Sequence, residues 1–167
     1  KGHIIDSLYI NRDEMNNGLF GIISNRNEIG VKNLGVTNVN LTGSFNIGGI
    51  AGSLIYGSLE NCFSTGTVSG SYSGIGGLVG TIGTSSTITD CFSMANVLSG
   101  YSDLGGLLGA AYSSSSVIRC YSSGSVNGSY KGGLVGANNS SEIINSFWDT
   151  NTSGLDSSAG GTGLTTA

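Results

Sequence analysis

Three cysteines, Cys62, Cys91 and Cys120, stand 29 residues apart. Thiols close disulfides or bind zinc when partners sit at set distances. Their number is odd, and the single histidine, His3, lies far from all of them. Cysteines at one register of a repeat read as a ladder of buried free thiols. Disulfide closure between neighbouring rungs is the alternative that distance alone leaves open. A second candidate is Asp149-Thr150-Asn151-Thr152-Ser153-Gly154. Asp149, Asn151 and Ser153 occupy the first, third and fifth positions of a calcium loop, with Gly at the sixth. The twelfth position is Gly160 instead of Glu. The competing reading is a tight turn in which Asp149 and Asn151 bond their own backbone. Calcium is the one cofactor the pattern raises.

Catalysis by proton transfer needs converging acids and bases. The carboxylates here are scattered, and only Glu60 and Asp90 could fall on adjacent rungs. No further group converges on them, so the chain reads as a non-enzyme, with a carbohydrate-active β-helix enzyme as the catalytic alternative. Four aromatics precede the Gly-Gly pairs: Phe45, Tyr72, Tyr101 and Tyr130. Stacked turns would place them in an exposed row. Such a row can hold a sugar or a protein partner, because aromatics give large contact area at low entropic cost. It can equally be a stack that stiffens a corner.

The elements that must position these residues come from a repeat. Gly-Gly-Ile-Ala-Gly at 48–52 returns as Gly-Gly-Leu-Val-Gly at 76–80 and 132–136, and as Gly-Gly-Leu-Leu-Gly at 105–109. A worn copy, Asn-Gly-Leu-Phe-Gly, stands at 17–21. A period of this size marks stacked units. Val39, Val68, Val97 and Val126 keep a 29-residue step, as do the cysteines, with Leu34 and Ser146 in their place at the ends. A polar column (Asn33, Asn61, Asp90, Arg119, Asn145) precedes the cysteines, and an aromatic one (Phe63, Phe92, Tyr121, Phe147) follows. The copies run at about 17–47, 48–75, 76–104, 105–131 and 132–148, and 149–167 reads as a closing turn and cap. Residues 1–16 read as the last strands of a preceding coil in a longer protein.

Cys62, Ser64, Gly66 and Val68 alternate with Phe63, Thr65 and Thr67, which is a strand pattern. The small, apolar cysteine–valine face is expected inside, and the aromatic face then needs cover. The Leu19, Ile50, Leu78, Leu107, Leu134 column is expected to fill the core, with flanking glycines at corners. Units that cannot bury a core alone must stack. The fold read here is a right-handed parallel β-helix of about five coils of roughly 29 residues. A repeat-built antiparallel β structure is the alternative. There are 30 glycines, no proline and a net charge of −4, which provides no footprint for nucleic acid. No apolar run approaches a membrane span.

The Gly-Gly-Leu-Val-Gly copies and the segments at 61–68 and 90–97, which open Asn/Asp-Cys-Phe-Ser and end on Val, resemble the GLUG repeat of bacterial surface proteins. Ser146-Phe147-Trp148-Asp149-Thr150 and the Gly-Thr-rich 160–166 resemble the end of such an array. The resemblance implies an extracellular, adhesin-like module and does not supply a ligand; a host or neighbouring-cell surface glycan or protein is the partner expected of the aromatic row. A spacer or fibre-forming stalk, able to associate end to end, is the alternative.

Overall fold

Gly, Ser, Thr and Asn at fixed intervals break the chain into short strands joined by tight corners. The computed structural model describes residues 2–24 and 30–166. The part of the first copy at 25–29, together with Lys1 and Ala167, lies outside the described residues. Strands β1 (His3–Asp6) and β2 (Tyr9–Asn11) open the chain. The first coil holds β3 (Phe20–Ser24), β4 (Gly30–Lys32) and β5 (Leu34–Gly43). The second holds β6 (Ala51–Ile55), β7 (Ser58–Glu60) and β8 (Phe63–Gly70). The third holds β9 (Ile75–Gly76), β10 (Val79–Gly83), β11 (Thr87–Thr89) and β12 (Phe92–Ser99). The fourth holds β13 (Leu104–Gly105), β14 (Leu108–Tyr112), β15 (Ser116–Ile118), β16 (Tyr121–Ser122) and β17 (Val126–Asn127). The fifth holds β18 (Lys131–Gly132), β19 (Val135–Asn139), β20 (Glu142–Ile144) and β21 (Phe147–Asp149). One helical turn, α1 (Thr150–Ser153), and β22 (Thr162–Leu164) close the chain.

Like strands of successive coils pair in parallel, giving a β-solenoid of about five coils with four stacked sheets. Leu59, Ile88 and Val117 therefore sit on one another, as do Leu54, Ile82 and Ala111. The antiparallel alternative is set aside by this pairing. The cysteine–valine face points inward: Cys62, Val68, Cys91, Val97, Cys120 and Val126 are all buried. Ile50, Leu78, Leu107 and Leu134 are fully buried too, and Leu19 packs partly buried against the core. The outer aromatic column covers itself only at Phe63 and Phe92, and Tyr121 is exposed. Phe63 and Phe92 stack at 4.8 Å and 2° between planes, and a Cβ on Gly35 would strike the Phe63 ring.

One column differs from expectation. Val39 pairs with Gly66, and Leu41 takes the place over Val68. A bulge in β5 sets Thr37 and Asn38 against the single Thr65, and Asn38 turns to φ 52° with its N–H donating to Thr65 Oγ1 at 3.0 Å. One extra residue there shifts all that follows by one step. The true column is Leu41, Val68, Val97, Val126.

The polar column before the cysteines is where each coil turns a corner. Asn33, Asn61, Asp90, Arg119 and Asn145 all have φ between 47° and 57°. Asn and Asp tolerate this left-handed region best. Arg119, a poor fit by type, is held by a two-pronged pair to Asp90, both N···O distances 2.7 Å.

The two ends of the solenoid differ. At the C-terminal end Trp148 takes the register of the inner serines, 5% exposed, with its indole N–H donating to the Leu155 carbonyl at 3.1 Å. Ser158 and Ala159 bond back to Val135 over the last coil. At the N-terminal end Ile4, Tyr9 and Ile22 are more than half exposed.

Candidate functional site

The aromatic turns lie at one edge of the solenoid, between the strands ending in Gly43, Gly70 and Ser99 and the next Gly-Gly pair. Their backbones ladder: the Tyr72 N–H donates to Ser44 O and the Asn46 N–H to Ser73 O. Phe45 and Tyr72 consequently stack face to face, centroids 4.5 Å apart and planes 4° apart. Tyr101 meets Tyr72 edge-on at 6.1 Å and 61°. Tyr130 is not stacked on Tyr101. The turn from Val126 to Lys131 is two residues shorter than that from Val97 to Leu104. The Leu104 N–H therefore donates to Tyr130 O, as the Ile75 N–H does to Asp103 O. Tyr130 occupies the register of Asp103, one the earlier turns give to Gly74 and Asn46. A small slot of about 140 Å³ opens between the two rings, lined by Gly100, Tyr101, Ser129 and Tyr130. Exposure rises along the row, 36% at Phe45, 44% at Tyr72, 62% at Tyr101 and 73% at Tyr130. One ring face each of Phe45 and Tyr72 is spent on the other, and the larger exposed area lies at Tyr101 and Tyr130.

The three cysteines form the expected ladder of free, buried thiols. Each Sγ donates to the carbonyl two residues back: Glu60 at 3.3 Å, Thr89 at 3.1 Å and Ile118 at 3.3 Å. Ser146 takes the same place in the last coil and accepts from the Cys120 N–H at 3.0 Å. Hydrogen bonds to Cys120 and Cys62, together with burial, push the central Cys91 thiol up. A thiol held protonated in this way is a weak nucleophile.

Asp149 is the N-cap of α1. Its Oδ1 accepts from the N–H groups of Asn151 and Thr152, and its Oδ2 accepts from Thr166 Oγ1 at 2.7 Å. Asn151 is exposed while Ser153 is buried and accepts from the Leu155 N–H. The three calcium candidates thus point to different tasks within a capping turn. No group of three or more His, Cys, Asp or Glu suited to a metal occurs among the described residues. The hydrogen bond from Thr166, then those from the Asn151 and Thr152 backbone, hold the Asp149 carboxyl below its usual range. A carboxyl with a lowered folded-state pKa stabilises above its unfolded value and ceases to do so as pH falls through the lower one. Wild type should therefore melt above Asp149→Asn near about pH 7, and the two melting curves should converge towards about pH 2. Calcium and a chelator are both expected to leave the melting temperature unchanged; a rise with calcium would instead place a cation on Asp149.

Glu60 and Asp90 do not face one another. Lys32 Nζ lies 2.6 Å from Glu60, and Arg119 lies against Asp90. The Arg119 hydrogen bond holds the Asp90 carboxyl below the usual carboxylate range. A feature with no signal in the repeat pattern is a cavity of about 380 Å³ lined by Lys32, Tyr56, Gly57, Ser58, Ser85 and Thr87. Tyr56 could have been singled out by its type, since the corresponding corners carry only Ser and Thr.

Residues 43–69 match the family described as the GLUG motif. The matched segment is one coil, from the Phe45 turn through the Gly-Gly motif to the strand carrying Val68. Comparison with curated proteins finds no match. The fold is similar to a crystal structure from Bacteroides ovatus described as a putative immunoglobulin A1 protease. The TM-score is 0.61 at 16% identity, covering 98% of this chain and 66% of that one. This chain thus spans just under two thirds of that protein's length. At this identity the likeness is one of fold.

Proposed function

We propose that the chain is a non-catalytic repeat module of an extracellular, surface-associated protein, and that it carries a recognition surface along its aromatic edge. The observation that carries the reading is the graded aromatic row, ending in the open Tyr101–Tyr130 slot. A solenoid provides rigid reach and a regular face on which such a row can be presented. The pairing of Glu60 with Lys32 and of Asp90 with Arg119 favours a structural over a catalytic use of these acids. The GLUG coil at 43–69 supports placing the module in a larger surface protein. The partner is a glycan or protein on another surface, met by ring edges and by the slot.

A spacer role is the second reading. It is favoured by the Phe45–Tyr72 stack, in which each ring covers one face of the other. A glycan and surface-protein array probed with wild type and with Tyr72/Tyr101/Tyr130→Ser separates the two. Recognition predicts selective binding that falls by at least about tenfold in the variant. Absence of binding by wild type, or binding unchanged in the variant, would replace recognition at this edge with the spacer role.

A further inference from the structure

Tyr56 stands at a corner with φ 53°. A bulky side chain in the left-handed region is an outlier, and such strain gathers where a site is built. The matching corners of the next coils are Thr84-Ser85, Ser113-Ser114 and Ser140, all with positive φ and all small. The later corners close with small residues, and among the described corners of this column only this one carries a large ring. Tyr56 is also one wall of the 380 Å³ cavity, a volume in the range of small-molecule sites.

The rest of the lining is Gly57, three hydroxyl side chains and Lys32. Ser58 and Thr87 are paired neighbours in adjacent strands β7 and β11. Gly30 precedes Ser58 in this column, and a Cβ there would come within 2.0 Å of the Ser58 Oγ. The missing side chain leaves room for that hydroxyl against the Gly30 backbone. Ser85 closes the corner side. Lys32 lines the cavity with its ammonium 2.6 Å from Glu60 Oε2, so its charge is already matched.

We infer that this cavity binds one neutral sugar ring, with Tyr56 against its apolar C–H face and Ser58, Ser85, Thr87 and Lys32 meeting its hydroxyls. The chemistry of the wall decides the class of ligand. An aromatic ring offers large, stiff contact area. Three hydroxyls both donate and accept, as a polyol requires. A cation neutralised by Glu60 gives no preference for an acid. The site lies away from the aromatic edge and shares no residue with it, so it stands or falls separately from the function proposed above.

The test is amide chemical-shift titration of the whole chain with methyl β-galactoside, methyl α-mannoside and N-acetylglucosamine, with galacturonate as the acidic comparison, each to about 50 mM. Shifts confined to residues around 32, 56–58 and 85–87, with at least one neutral sugar preferred to galacturonate, are expected. Tyr56→Ser places at this corner the residue type the later coils use. It should weaken binding by about tenfold without lowering the melting temperature. Thr87→Val, which removes a hydroxyl at nearly constant shape, should weaken binding as well and guards against a folding defect in the first variant. No shift with any of the sugars, tighter binding of galacturonate, or unchanged affinity in both variants would overturn the inference. The array experiment with the triple tyrosine variant reads the aromatic edge alone, so the two outcomes remain distinguishable.

Discussion

Leu78→Asp should abolish the cooperative fold of the central coils. Leu78 is fully buried in the column Ile50, Leu78, Leu107, Leu134. Its N–H donates to Leu107 O at 2.9 Å and its carbonyl accepts from the Ile50 N–H at 2.9 Å, so its backbone lies inside two rungs at once. A carboxylate there is shut off from solvent, and protonating it leaves a polar group in an apolar column. Simple truncation to Ala would already cost about 2–5 kcal/mol. The buried acid exceeds this, at about 5 kcal/mol or more, because desolvation is added to the lost packing. In a solenoid each coil is stabilised by its neighbours, so the loss spreads to both sides. Circular-dichroism melting is the measurement. A variant that keeps the wild-type midpoint would refute the buried assignment.

Gly109→Ala is expected to be nearly as damaging although it adds one methyl group. A Cβ at Gly109 would lie 2.4 Å from Ile75 N, 2.5 Å from Gly74 C and 2.6 Å from Gly80 O. All three are backbone atoms, so no change of rotamer relieves the clash. The turn carrying Gly74 and Ile75 must lift off the strand, breaking the close packing of two coils. The cost is about 3 kcal/mol, at the upper end for overpacking, because rigid backbone meets the added atom. Gly83→Ala is the control, since a Cβ there has nothing within 4 Å. Equal melting temperatures for the two variants would show that closeness at the turn does not dictate glycine at 109.

Much of this arrangement is legible in the chain because a stacked repeat writes each contact several times. Cys62, Cys91 and Cys120 recur at one spacing because they occupy one position on successive rungs, so their burial could be read before any coordinates. The same holds for Ile50, Leu78, Leu107 and Leu134. Where the repeat count breaks, sequence reading fails. Val39 keeps the 29-residue step to Val68 yet pairs with Gly66. The step from β5 to β8 is already 28 at Gly35–Phe63, and the bulge, a local event that an arithmetic period cannot see, shortens it to 27. Tyr130 shares its motif position with Tyr101 and still leaves the row, because its turn is two residues shorter.

Other features depend on which groups meet across a coil. Ser64 and Ser122 were legible only as small residues of an inner face. In the structure Ser64 Oγ donates to Gly77 O and Ser122 Oγ to Gly133 O, both at 2.7 Å. These bonds tie opposite walls of the solenoid, and the second glycine of each motif is the residue that lets them close. Trp148 could be read as the end of an array. That it covers the last rung from the serine position is a matter of packing against Gly133 and Leu155.

By itself, then, the sequence determined the period and the leucine column, and favoured the cysteine–valine face as the inward one while leaving both faces open. These readings follow from side-chain type repeated at constant spacing, and a parallel stack turns that spacing directly into contact. Only the tertiary structure decided the bulge in β5, the left-handed corners, the slot beside Tyr130 and the cavity at Tyr56. Each of these arises from backbone conformation at one place and from residues far apart in the chain. No periodic signal carries that information, because it exists only once the coils are closed on one another.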